Sequence, residues 1–193
     1  MKKLNKKGFT LIELLAVIVI LAVVLGIAIP AVSQYITKSR KNGYVDNLYQ
    51  FINAARQGAT LGDEYQLPVD NNHATIVKFS TLANALEKGG QKSSYQEPWQ
   101  LNNSYVVIVN SGTADSPKYT YYVTASDGKY VTGKSGEAAP QIIEENTLKA
   151  ADIVRMDSTG SIVPAIGEGF NDAGNGRITI ASGTAEIIVD DVK

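Results

Sequence analysis

Residues Gly8-Phe9-Thr10-Leu11-Ile12-Glu13 lie between a lysine-rich start and a long apolar run, and this stretch decides the fold. The run continues from Leu14 to Val32, and Glu13 is the one charged residue near its beginning. A carboxylate inside hydrocarbon costs about 2.5–3.5 kcal/mol on insertion scales, so such a residue predicts a function and a partner. The partner that we infer is the free amino group that a cut before Phe9 creates.

The same residues carry a resemblance to the precursors of type IV pilins. A short basic leader ends in Gly8, Phe9 follows it, Glu13 comes four residues later, and the apolar helix contains Pro30. The resemblance covers about the first quarter of the chain. It implies that a prepilin peptidase cuts between Gly8 and Phe9 on the cytoplasmic side and methylates the new Phe9 amine.

The apolar segment is long enough to cross a membrane. From Phe9 to Val32 it contains 24 residues, or about 36 Å of helix at roughly 1.5 Å per residue, and a hydrocarbon core needs about 20 apolar residues. The leader lysines predict that the N-terminus stays in the cytoplasm. Lys38, Arg40 and Lys41 oppose this orientation, but the four leader lysines and the α-amine are expected to prevail.

Two other interpretations of this segment stay open. A plain signal-anchor explains the apolar length but gives Glu13 no purpose. A conventional secretory signal could be cut after Ala31-Val32-Ser33, although such signals normally have an apolar region of only about 7–15 residues. The excess length and the acidic residue favour the pilin-type leader.

Gly26 and Pro30 lie inside the apolar helix. Proline removes one intrahelical donor and clashes with the preceding turn, a penalty of about 3 kcal/mol in water, although neighbours can re-satisfy the backbone in a membrane. A simple kink is the plain structural interpretation. The resemblance implies a point where the helix melts when subunits leave the bilayer and pack into a fibre, and we favour that role.

The helix is predicted to continue beyond the membrane. Apolar residues recur at spacings of three and four from Tyr44 to Ala55, which predicts an amphipathic helix with one face for a core. Gly58 and Gly62 indicate its end, at about Ala59. We therefore predict four segments: a leader at 1–8, a transmembrane and filament-core half of the stem helix at 9–32, its amphipathic half at 33–60, and a β-rich globular head at 61–193.

The head is predicted to be an antiparallel β-sheet with one short helix at 81–88, stopped by Gly89-Gly90. Asp127-Gly128, Asp157-Ser158-Thr159-Gly160 and Ser182-Gly183 predict hairpin turns between runs rich in Val, Ile and aromatic residues. The predicted strands are 104–110, 118–125, 129–132, 151–156, 161–166, 177–181 and 184–189. A long helix packed on this sheet gives the α+β class, and the resemblance implies the type IV pilin fold.

Composition excludes several classes of function. The formal net charge is −1, and removal of the four leader lysines by a cut after Gly8 makes it −5. Specific or strong binding of nucleic acid, which needs clustered Lys and Arg, is therefore not expected. The chain has no cysteine, so its stability must come from packing and not from disulfides.

No catalytic activity and no cofactor are predicted. His73 is the single histidine and stands in the polar stretch Asp70-Asn71-Asn72-His73, interpreted as a loop, where a hydrolase triad has no support. Asn171, Asp172 and Asn175 could offer oxygens to a calcium ion, but their spacing does not match an EF-hand loop. The same residue types form ordinary turns, which is the preferred interpretation.

The expected function is that of a structural subunit of a type IV pilus, a helical homopolymer on the cell surface. The resemblance implies a prepilin peptidase, an assembly platform with its ATPase and, before assembly, the cytoplasmic membrane as partners. It implies roles in adhesion, biofilm formation and twitching motility. The Glu13 carboxylate is expected to meet a Phe9 ammonium inside the fibre. A pseudopilin of a secretion or DNA-uptake system and a minor tip pilin or adhesin are the alternatives.

Overall fold

The structure is a computed structural model that describes residues 10–61, 65–70, 73–84, 86, 91–133, 141–156, 177–179 and 186–192. One helix, α1 (Leu11–Leu61), begins the described chain and runs through Pro30 without interruption. The chain divides into two compact units, Met1–Ser39 and Arg40–Lys193, and α1 contributes to both. The predicted long N-terminal helix is confirmed, and it ends close to the predicted position.

In the first unit, α1 exposes its apolar side chains. Leu11 is 82% exposed and Ile27 is 73% exposed, and the large apolar residues between them are at least half exposed. Helix α1 is long and apolar enough to cross a membrane, judged by length and composition. Soluble monomers rarely expose a continuous apolar surface of this extent, so this part of the helix needs lipid or protein to cover it.

In the second unit, α1 buries one face. The buried residues recur at spacings of three and four, the pattern of an amphipathic helix on a core; they are Tyr44, Val45, Leu48, Phe51, Ile52, Ala54 and Ala55. This confirms the helix face that the sequence predicts for the core.

The described residues of the second unit form the strands β1 (His73–Lys78), β2 (Tyr105–Asn110), β3 (Tyr119–Thr124), β4 (Tyr130–Thr132), β5 (Ile143–Glu144), β6 (Ile153–Arg155), β7 (Arg177–Thr179) and β8 (Glu186–Val192). Six of these strands make the main sheet, in the order β5-β3-β2-β1-β8-β7, and β4 and β6 form a separate pair. Neighbours in the main sheet are antiparallel except β1 and β8, which are parallel. The α+β layout is that of the type IV pilin fold.

The core lies between α1 and one face of this sheet. Register places Val77, Val106 and Val123 of three adjacent strands on the same face, and all three belong to the cluster that α1 joins. The rings of Phe51 and Phe79 stack with their centroids 3.6 Å apart. Side-chain packing of this kind replaces the disulfides that the chain cannot form.

Three details differ from the sequence-based expectations. Strand β1 was not predicted, and His73 begins that strand instead of standing in a loop. The predicted helix at 81–88 is a four-residue helix, α2 (Phe79–Leu82), placed earlier in the chain. Strand β4 pairs with β6 and not with β3. It is joined to the residues that follow β3 by the isolated β-bridge Ser126–Val131. The predicted strand at 161–166 lies outside the described residues.

Polar contacts also hold α1 to the sheet. The Tyr44 hydroxyl donates to the Tyr130 carbonyl at 3.1 Å. The Arg56 guanidinium forms a salt bridge with Glu145 at 2.7 Å and lies 4.6 Å from the centroid of the Tyr121 ring. These contacts connect α1 to β3, to β4 and to the residue that follows β5.

Candidate processing and assembly site

The structure describes some of the residues that the sequence singles out and not others. Gly8 and Phe9 lie outside the described residues, as do the candidate calcium ligands Asn171, Asp172 and Asn175. Glu13 lies in the first turn of α1. Gly26 and Pro30 lie in the exposed apolar part of the same helix.

Glu13 caps the start of α1 together with Thr10. The Glu13 carboxylate accepts a hydrogen bond from the Thr10 backbone N–H at 2.8 Å and another from the Thr10 hydroxyl at 2.7 Å. The Thr10 hydroxyl in turn accepts from the Glu13 backbone N–H at 3.3 Å. This reciprocal arrangement is a capping box, which satisfies donors that the first turn of a helix leaves free.

Thr10 is the residue of this site that the sequence interpretation missed. The signal was present, because Thr10-Leu11-Ile12-Glu13 has the spacing of a capping box before an apolar run. The box gives Glu13 a second role beside the inferred charge pair. It also directs the carboxylate toward the N-terminal end of the helix, to the amide that joins Phe9 to Thr10.

Gly26 and Pro30 weaken the same turn of α1. In an α-helix the N–H of residue i donates to the carbonyl four residues earlier, and proline has no N–H. Pro30 therefore cannot donate to the carbonyl of Gly26. A Cβ at Gly26 would meet nothing within 4 Å, so glycine is not required there by packing within the chain. Its conformational freedom adds to the weakness that Pro30 creates.

Among the described residues, no group of three or more His, Cys, Asp or Glu side chains could hold a metal ion. His73 is half-buried at the start of β1, and the buried Asp127 and Asp152 are engaged by backbone donors.

Comparison with known proteins identifies the N-terminal segment. Residues 3–29 match the family model of the prokaryotic N-terminal methylation motif. The match includes most of the leader, the Gly8-Phe9 bond and Glu13, and with the α+β layout it agrees with a type IV pilin-like precursor that is membrane-anchored and processed by a prepilin peptidase. No curated protein and no solved structure matches the chain.

Proposed function

We propose that the chain is a structural subunit that polymerises into a type IV pilus filament at the cell surface. The apolar, exposed part of α1 carries this proposal. In the part of the chain that the structure describes, the large apolar residues from Leu11 to Val32 are exposed, and a bilayer core or a bundle of identical helices would cover them. Packing between copies through different surfaces that do not close a ring produces an open helical filament.

In the proposed pathway, the precursor waits in the membrane with its leader in the cytoplasm. The peptidase cuts after Gly8, and Phe9 becomes the methylated N-terminus. Apolar contacts between the helices supply most of the cohesion of the fibre. The outer surface of the fibre then consists of the head domains, which make the contacts needed for adhesion or motility.

Glu13 sets the register of this assembly. A carboxylate moved into an apolar bundle pays a large desolvation cost, which a nearby ammonium offsets only in good geometry. The amine released at Phe9 is the nearest such cation in sequence. In copies docked at the wrong height, Glu13 has no such cation beside it. The uncompensated desolvation of its carboxylate then destabilises the misaligned arrangement. The capping hydrogen bonds from Thr10 support the carboxylate before assembly.

Two substitutions of Glu13 separate its two roles. Glutamine preserves a capping box but carries no charge, whereas alanine removes both. We expect Glu13→Gln and Glu13→Ala to be cut normally after Gly8, and we expect both to yield few or no fibres. Asp46→Ala is the matched control, because Asp46 is an exposed acid on α1 beyond the apolar part, and it should assemble normally.

The assay is the amount of subunit in sheared fibres relative to membranes, with cleavage checked by mass spectrometry. Normal fibres from Glu13→Gln would mean that capping alone is required and that the charge pair is wrong. The abundance of the wild-type subunit in the same samples separates a main subunit from its alternatives. A pseudopilin is absent from long surface fibres, and a tip adhesin is rare in them.

A further inference from the structure

The helix changes from apolar to charged in a definite order after Val32. The stretch Ser33-Gln34-Tyr35-Ile36-Thr37-Lys38 passes from small polar residues through an aromatic one to a cation. Tyr35 is 74% exposed. The Thr37 hydroxyl donates to the Ser33 carbonyl at 3.0 Å, so this polar group is satisfied by its own helix. The order matches a helix that leaves hydrocarbon and enters a headgroup layer, where tyrosine is enriched.

We propose that Tyr35 and Lys38 form an interfacial anchor before the subunit joins a fibre: Lys38 binds the phosphate of an anionic lipid headgroup in the outer leaflet, and Tyr35 sets the depth of the helix in the bilayer. The inference rests on the proposed function, because it requires the apolar part of α1 to be inserted in a bilayer. It adds to that function a ligand class, one phosphate-binding residue and one residue that fixes the position of the helix.

The positions along the helix suit this ligand. At about 1.5 Å per residue, Tyr35 lies about 4.5 Å and Lys38 about 9 Å beyond Val32. The headgroup region adds about 5–8 Å to each side of the hydrocarbon core. Tyr35 is therefore level with the headgroups, and Lys38 lies just above them, where its flexible stem can bring the ammonium down to a phosphate. Because they are three residues apart, both side chains lie on one helix face.

The charges favour a lipid phosphate as the partner of Lys38. Lys38 is exposed, and the salt bridges found in the described residues are Arg56–Glu145 and Lys129–Glu97, neither of which includes it. Arg40, by contrast, has its guanidinium carbon 5.9 Å from the centroid of the Tyr95 ring. A cation just outside the membrane also opposes the orientation set by the leader, and binding to a phosphate offsets that cost.

The absence of cysteine allows a direct test. Gln34→Cys introduces one labelling site, and the full-length chain carrying a fluorophore there is reconstituted at low density into bilayers. Quenching by brominated phosphatidylglycerol and by brominated phosphatidylcholine gives the relative binding constant of the two lipids beside the label. We expect the otherwise wild-type chain to prefer phosphatidylglycerol.

Lys38→Gln should lower this preference about fivefold, the factor that corresponds to about 1 kcal/mol for one lysine near an anionic surface. Lys118→Gln, which removes an exposed lysine of the β2–β3 connection, should leave the preference unchanged. Tyr35→Ala keeps the charge, so it should retain the preference and change the depth of the label in the bilayer.

Two outcomes would overturn the anchor. One is an unchanged lipid preference in Lys38→Gln. The other is the absence of any preference for phosphatidylglycerol in the otherwise wild-type chain. If Lys38→Gln leaves the preference unchanged but alters self-quenching between labelled copies, Lys38 lies against a second copy of the chain. Failure of insertion is distinguishable, because a label introduced by Val24→Cys would then be quenched from water. If the label at position 24 is buried in lipid and Lys38→Gln does not change the lipid preference measured at position 34, the anchor is rejected and the proposed function is not.

Discussion

The Asp127 carboxylate holds two connections of the head together. Asp127 is 4% exposed. Its Oδ2 accepts from the Ser93 hydroxyl at 2.6 Å, and its Oδ1 accepts from the backbone N–H groups of Lys129 at 2.9 Å and Tyr130 at 2.6 Å. Hydrogen bonds to an ionised group are stronger than those between neutral groups. The turn that leads into β4 therefore depends on this one side chain.

Asp127→Ala should lower the free energy of unfolding by about 3 kcal/mol, because three donors lose a charged acceptor and the site is buried. Trp99 is the single tryptophan and is buried in the core, so denaturant unfolding in detergent can be followed by its fluorescence. Asp115→Ala, in the exposed β2–β3 connection, should change stability by less than about 0.5 kcal/mol. Equal effects of the two substitutions would refute the role given to Asp127.

Single residues differed in how far they could be predicted. Glu13 could be singled out because an isolated acid in an apolar run is costly and therefore rare. The role of Thr10 can be predicted from the same six residues, because Thr10 and Glu13 have the spacing of a capping box. Asp127 could not have been distinguished from an ordinary turn residue, because its main partner Ser93 lies 34 residues away.

At the scale of the element, α1 combines a stable helix with one weak point. The helix continues through Pro30, although the missing N–H leaves the Gly26 carbonyl without its helical donor. We expect a local opening of α1 at this position to cost less than an opening elsewhere in the helix. Such an opening would let the helix change length when it passes from lipid into a fibre.

Pro30→Ala should restore the hydrogen bond to the Gly26 carbonyl and stiffen α1. We expect the variant to be inserted and cut normally after Gly8 but to yield fewer fibres, measured as subunit recovered after shearing. Gly26→Ala should act in the same direction more weakly, because it changes propensity by about 1 kcal/mol. Asp46→Ala, at an exposed position of α1 beyond the apolar part, keeps every backbone donor and serves as control. Wild-type fibre yield from Pro30→Ala would show that assembly does not need the weak point.

Helices and strands that have a local sequence pattern could be predicted, whereas the pairing of strands in the sheet could not. The spacing of Tyr44, Leu48 and Phe51 is enough to define the buried face of α1. Alternation of side chains tells which face of a strand is buried but not which strand lies beside it. The parallel pairing of β8 with β1 joins residues more than 100 positions apart, so no local pattern predicts it.

At the scale of the whole molecule, buried phenols link stability to alkaline pH. Desolvation by burial raises the pKa of Tyr44 well above its usual 10.0, and it also raises the pKa of Tyr121. Desolvation, with a smaller effect of Tyr130, raises the pKa of Tyr95 to about 12. The folded chain keeps these protons at a pH where the unfolded chain has lost them. The contribution of these phenols to the free energy of unfolding is therefore fully present below about pH 10 and decreases as the pH rises further.

Tyr95→Phe should make this decline less steep between pH 10 and 12, because one group whose pKa of about 12 exceeds the unfolded value no longer titrates. The measurement is denaturant unfolding of both chains at several pH values in that window. Tyr35→Phe is the control, since Tyr35 is 74% exposed, and it should leave the slope unchanged. An identical slope for Tyr95→Phe and the wild type would contradict the link between burial and pH dependence.

The account as a whole depends on the liberation of a new amine beside Glu13. Intact-mass and N-terminal analysis of the subunit sheared from cell surfaces tests this most directly. The expected chain begins at Phe9 and carries one methyl group on its amine, and replacing Gly8 by a bulky residue abolishes that species. A surface protein that still begins at Met1, or that begins at Gln34 after conventional secretory cleavage, would contradict the account.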